Sequence, residues 1–163
     1  MPFTSLKKLP FLLVAAALLA FPALAGSTVH AAKRTSAESS LLHEINRVRR
    51  AHHLRTLRYD SRLAVAAHAH TTSMASGDYF AHGTFAQRMV RFHVRGPFVG
   101  ENLAWGTGSR GTAAGIVRAW LASPEHRANL LRPGFRRIGL GEIRTTFEGA
   151  AGASVVTADF AGF

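Results

Sequence analysis

Apolar positions follow helical spacing through most of the chain and β-type spacing near its end. Thr35-x-x-Glu38 forms a capping box, in which hydroxyl and carboxylate each satisfy an orphan backbone N–H. Behind it Leu41, Leu42, Ile45 and Val48 recur three to four residues apart, which predicts a helix from about Ser36 to Ala51. Asp60 is a good N-cap for a second helix. Its buried stripe is Leu63, Ala66, Ala67, His70 and Met74, and Gly77 ends it. The many Ala residues predict close packing against another layer. A shorter helical piece spans Phe85 to Phe92 and breaks at Gly96-Pro97. Gly111 to Ala122 carries Ile116, Val117 and Trp120 on one face and stops at Ser123-Pro124. A short helix over Glu125 to Leu131 precedes Pro133-Gly134.

The last third changes period. Arg137 to Thr145 and Ser154 to Phe160 are β-rich runs separated by a Gly/Ala turn at 149–152. Asn102 to Trp105 is a further short strand candidate. Helices first and strands later predict an α+β fold, with helices packed on a small antiparallel sheet.

The first 25 residues have a different logic. Lys7 and Lys8 precede an apolar run from Leu9 to Phe21, and Ala23-Leu24-Ala25 places small residues at the cleavage positions. These are the three parts of a secretory signal, in order. The run is shorter than the ~20 residues a spanning helix needs, so cleavage after Ala25 is expected. Residues 26–36 read as a flexible leader, and 37–163 as one domain.

Composition narrows the class. The chain has 163 residues and no Cys. That excludes disulfide staples, Cys-ligated zinc, a thiol nucleophile, c-type haem and a lipidated N-terminal Cys. A hydrophobic fraction of 47% excludes a disordered polyelectrolyte. The formal charge is +11, and it drops by two when Lys7 and Lys8 leave with the signal. No run of five basic residues occurs, and aromatics are not interleaved with the Arg residues as in single-strand binders. Nucleic acid is not the expected partner. An anionic cell-envelope polymer or lipid is, and the chain is expected to be a monomer.

Nine His is a high count. His43, His52, His53, His68 and His93 read as surface or part-exposed residues, and His30 lies in the leader. His68 and His70 are two apart on a helix and point to different faces. Three polar positions stand out because apolar neighbours anchor them: His82 in Tyr79-Phe80-Ala81-His82-Gly83, Glu101 in Gly100-Glu101-Asn102-Leu103, and His126 in Ser123-Pro124-Glu125-His126. A carboxylate beside imidazoles suits either a borderline metal or general-base work.

The strings INRVRRAHHLRTLRYDSRLAVAAHAHTTSMASGDYFAH, GENLAWGTG and SPEHRANLLRPGFRRIGLG together resemble the CAP superfamily, the cysteine-rich secretory, antigen 5 and pathogenesis-related proteins. The similarity is to its Cys-free bacterial branch of SCP-like extracellular proteins, and runs from about Leu41 to Phe160. It implies an α-β-α sandwich with a central antiparallel sheet between helical layers. It also implies a cleft lined by two His and two acidic residues. Carried over, these are His82, Glu101 and His126. The fourth, acidic position falls near Ser123, so the chain departs from the full set. The resemblance thus implies His82, Glu101 and His126 as ligands of a divalent cation such as Zn, and three ligands plus water is the minimum for zinc. The remaining motif residues take structural roles: Asn102 and Asn129 satisfying turn backbone, Arg127 pairing with a buried carboxylate, Gly139 and Gly141 admitting a close helix, and Trp105, Trp120 and Phe135 in the core.

The resemblance implies a secreted binding module for a cation or a small or lipidic ligand. The sequence agrees by lacking G-x-S-x-G, H-E-x-x-H and an evident Ser/His/Asp set. The alternative is a peptidase-like hydrolase drawing on His82, Glu101, His126 and Ser123.

Overall fold

The computed structural model describes residues 34–163. The signal segment and most of the leader lie outside the described residues. Five helices and four strands follow in order: α1 (Ser36–Ala51), β1 (Arg58–Tyr59), α2 (Ser61–Gly77), α3 (Phe85–Arg91), β2 (Val99–Gly106), α4 (Ala113–Ala122), α5 (Pro124–Leu131), β3 (Phe135–Phe147) and β4 (Ala150–Gly162). The fold is α+β, as the pattern predicts.

Local chemistry accounts for the element ends. The Thr35 hydroxyl accepts from the Glu38 N–H at 3.2 Å, and Glu38 Oε2 accepts from the Thr35 N–H at 2.9 Å. Asp60 caps α2 by accepting from the Arg62 and Leu63 N–H groups. The stretch at 108–122 divides: Gly108–Gly111 forms a 3-10 turn, and Thr112 caps α4 through the Gly115 N–H. Pro124 opens α5 at its first turn, where its missing N–H costs nothing.

The sheet order is β1-β3-β4-β2. The three long strands are antiparallel, and the two-residue β1, which carries no sequence signal of its own, joins β3 in parallel. The β3–β4 hairpin is longer than its β-rich runs. Its turn is Glu148-Gly149, with φ of 49° and 74°, rather than the whole Gly/Ala stretch at 149–152. Two successive positive φ angles match the twist of the strands, so both strands continue close to the tip.

Alternation along β4 sorts the two faces. Val156, Ala158 and Phe160 pack with Leu41, Ile45, Ile116, Trp120 and Leu130 of α1, α4 and α5. Val155 and Ala161 face the other way, toward Met74, Leu63 and Ala66 of α2. Thr71 of α2 donates to Thr157 Oγ1 at 2.9 Å on that same face. The sheet therefore lies between two helical layers. The second layer sits unusually close. A Cβ at Gly139 would collide with the backbone of Leu63 and Ala64, and one at Gly141 would lie 2.8 Å from the Ala67 carbonyl. Trp120 and Phe135 are buried as expected, whereas Trp105 is 37% exposed, edge-on to buried Phe147 at 5.5 Å. Trp105 sits on the edge strand β2.

Candidate functional site

The site forms where the edge strand β2 meets the loop between α2 and α3. Glu101 sits on the α2-facing side of β2, opposite Asp159 in register. The α2–α3 loop runs past this edge and brings His82 down onto it. His82 Nδ1 lies 2.8 Å from Glu101 Oε1. A carboxylate only accepts here, so Nδ1–H donates and the protonated ring nitrogen is fixed. The His82 side chain is 56% exposed and Glu101 is buried. Arg88, from α3, donates through Nη2 to Glu101 Oε2. Both oxygens of Glu101 are thus engaged, one by an imidazole and one by a guanidinium.

His70 completes the cluster from α2. Its Nε2 is 2.9 Å from the Ala81 carbonyl and 4.0 Å from Glu101 Oε2. Burial pushes the His70 pKa down, and the nearby Arg88 cation adds to this. Asp159 lies beneath. Burial raises its pKa well above the usual carboxylate range, and the neighbouring Glu101 charge raises it further. No described donor reaches either Asp159 oxygen. In the protonated form that this burial favours, Asp159 has a proton to offer the neighbouring Glu101.

His126 approaches from the opposite layer, around the edge of β2. Two amides hold it. Asn102 Nδ2 donates to the His126 carbonyl at 2.9 Å, and Asn129 Nδ2 donates to the Glu101 carbonyl at 3.1 Å and to Asn102 Oδ1 at 2.9 Å. These amides bridge β2 and α5, a longer-range role than the local turn satisfaction expected of them. Burial lowers the His126 pKa, as does the proximity of His82.

The sequence-based site is therefore assembled in part. His82 and Glu101 touch. His126 stands close enough to feel His82 but makes no side-chain hydrogen bond to either among the described residues. Ser123 is the N-cap of α5 and makes no side-chain capping bond. No hydrogen bond joins its hydroxyl to an imidazole among the described residues. The cation on the buried carboxylate is Arg88; Arg127 is exposed. The second carboxyl beside Glu101 is Asp159 from β4, not a residue adjoining Ser123. Three members were missed. His70 reads as one more position on a buried stripe, and Arg88 as surface on a short helix. Asp159 carried a signal: a carboxyl at an inward position of an apolar strand must be paired or protonated.

A metal fits this arrangement poorly. Among the described residues no group of three or more His, Cys, Asp or Glu is disposed to hold an ion. The Glu101 oxygens already accept from His82 and Arg88, and a guanidinium repels an incoming cation. What the cluster does adjoin is a polar cavity of about 380 Å³ between α2 and α3, whose walls include His70, Ser73, Tyr79, Gln87 and Arg88.

The layered α+β fold matches that of solved CAP-domain structures. The model of the CAP, cysteine-rich secretory protein family matches residues 42–155, and the chain belongs to that family. Uncharacterized protein YkwD of Bacillus subtilis (strain 168) is 31% identical over 113 residues, covering 66% of this chain and 43% of that protein. The uncharacterized membrane protein YlbC of the same organism is 33% identical over 113 residues, covering 66% of this chain and 32% of that protein. The chain thus spans less than half the length of the curated relatives it matches. Among solved structures, an extracellular SCP-domain protein of Bacillus anthracis superposes with a TM-score of 0.62 at 27% identity, over 77% of this chain and 40% of its own. An outer surface protein of Borrelia burgdorferi gives 0.64 at 21% identity, over 79% and 97%, which speaks for the fold alone.

Proposed function

We propose that this chain is an exported CAP-domain binding module that takes a small polar ligand at the His82–Glu101–Arg88 edge. One observation carries the reading: both oxygens of Glu101 are held by protein donors next to a small polar cavity. A carboxylate so engaged is a scaffold for His82 and Arg88, not a free base or a free metal ligand. The cavity volume lies in the range of small-molecule sites, and its walls offer hydroxyl, amide and guanidinium groups. Polar walls suit a polar ligand better than a lipid tail. A divalent cation is the least favoured ligand, because Arg88 occupies the carboxylate that would hold it. Export rests on the Lys7/Lys8, Leu9–Phe21 and Ala23–Ala25 pattern and accords with the extracellular B. anthracis relative.

A hydrolase is the second reading, favoured by the 2.8 Å His82–Glu101 contact. Glu101 would orient His82, whose other ring nitrogen would take a proton from an attacking water. Ser123 is a weak nucleophile candidate without a hydrogen-bonded base.

Titration of amide NMR spectra with a set of polar fragments, peptides and esters tests both. The binding reading expects saturable shifts around His70, Tyr79 and Arg88, weakened in Tyr79→Phe and Gln87→Ala, with the added compounds left intact. Cleavage products that vanish in His82→Gln would replace it with the hydrolase reading.

A further inference from the structure

The Arg residues are scattered in sequence, yet the fold gathers three of them. A groove of about 810 Å³ opens between the start of α2 and the end of α3. Its walls include Arg62, Arg91 and Arg95 together with Val65, Val90 and Val94, and no Asp or Glu. None of these three Arg is ion-paired with a described carboxylate. The neighbouring Asp60 is taken by Arg137 at 2.8 Å. Arg62 instead reaches the His93 carbonyl at 3.4 Å, which keeps its guanidinium over the groove. At the rim Val90 is 76% exposed, although it follows the buried core residue Met89.

We propose that this groove docks the protein on an anionic phospholipid surface, with headgroup phosphates among Arg62, Arg91 and Arg95 and Val90 reaching the acyl boundary. Unpaired guanidinium groups at one mouth match phosphate oxygens in charge and in fork geometry. The Val side chains decide between anionic partners. A hydrophilic wall polymer gains nothing from Val90, whereas the headgroup–acyl boundary accepts an apolar tip beside a cationic ring. The contact is interfacial, made by side chains of the α2–α3 surface. The groove shares Arg91 and Phe92 with the polar cavity, but Arg62, Arg95 and Val90 do not line that cavity. Docking and ligand binding therefore separate by mutation.

The absence of Cys makes a site-specific probe simple. Val90→Cys and, on the opposite layer, Ser40→Cys are each labelled with a polarity-sensitive fluorophore in the full chain. They are mixed with vesicles of phosphatidylcholine alone or of phosphatidylcholine and phosphatidylglycerol in equal parts. The label at 90 should shift to the blue and escape iodide quenching on the anionic vesicles only, while the label at 40 stays in water. Adding Arg62→Gln with Arg95→Gln should raise the lipid needed for half-response at least about tenfold, the expected effect of removing two cations from an anionic surface. Any contribution of the N-terminal segment is common to all variants and cancels. Equal responses at both labels, an unchanged lipid requirement in the double variant, or the same response to inorganic phosphate alone would overturn the proposal.

Discussion

Asp159 carries a marked electrostatic tension at the centre of the site. It is fully buried, and its pKa is raised by desolvation first and by Glu101 second. A carboxyl whose folded pKa lies above its unfolded value gives its full stabilisation below the unfolded value and loses it as pH rises through the folded value. At neutral pH the unfolded chain gains by ionising Asp159, and the folded state pays with a bound proton. Asp159→Asn keeps the shape and a donor toward Glu101 but cannot ionise. Its melting temperature should exceed that of the parent at neutral pH, with the gain fading as pH falls toward 3.8. Differential scanning calorimetry across that range checks the sign. Asp159 also shows what a single sequence conceals. Its inward position on a strand was readable, but its partner Glu101 lies 58 positions away and is found only through strand register.

Elements, by contrast, were largely written in local chemistry. The capping box at Thr35 and Glu38, the Asp60 cap and the stops at Gly77 and Ser123-Pro124 set the helices within a residue or two of their observed ends. Strand ends were less legible, because pairing with a partner extends a strand past its own β-rich residues. β1 was invisible for the same reason: two residues become a strand only by meeting Arg137 and Ile138. The placement of α5 depends on the Asn102–Asn129 bridge rather than on its own weak amphipathicity. Asn102→Ala removes the donor to the His126 carbonyl and leaves Asn129 short of an acceptor. The expected loss is about 1–3 kcal/mol in urea unfolding. The His126 resonances should shift, while those of α2 stay in place.

At the scale of the molecule, one ion pair ties the two helical layers together. His68 of α2 reaches Glu38 at the start of α1, with Nε2 2.5 Å from Oε1. The close contact with the Glu38 carboxylate raises the His68 pKa above 6.5, against the opposing pull of burial. A base with a raised folded pKa gives its full stabilisation below about pH 6.5 and loses it as pH climbs through the raised value. His70 and His126 work oppositely, since burial lowers both: their contribution is present above about pH 6.5 and is lost as pH falls. A melting curve of the parent alone mixes the two signs. The difference between the parent and His68→Gln isolates the pair. It should be largest in mildly acid buffer and shrink as pH rises past the raised value. The layered fold itself was foreshadowed by the Ala-rich stripe of α2 and by Gly139 and Gly141, which meet backbone to backbone. Long-range pairings such as Glu38–His68 were not, because nothing local marks them.

The geometry of the site turns on His82 being locked to Glu101 through Nδ1. Long-range nitrogen–proton NMR of the imidazole rings reads this directly. In the parent protein His82 should appear with its proton on Nδ1, and Glu101→Gln should release it to a mixture of ring forms. A His82 ring protonated on Nε2, or one unchanged by Glu101→Gln, would contradict the site as described.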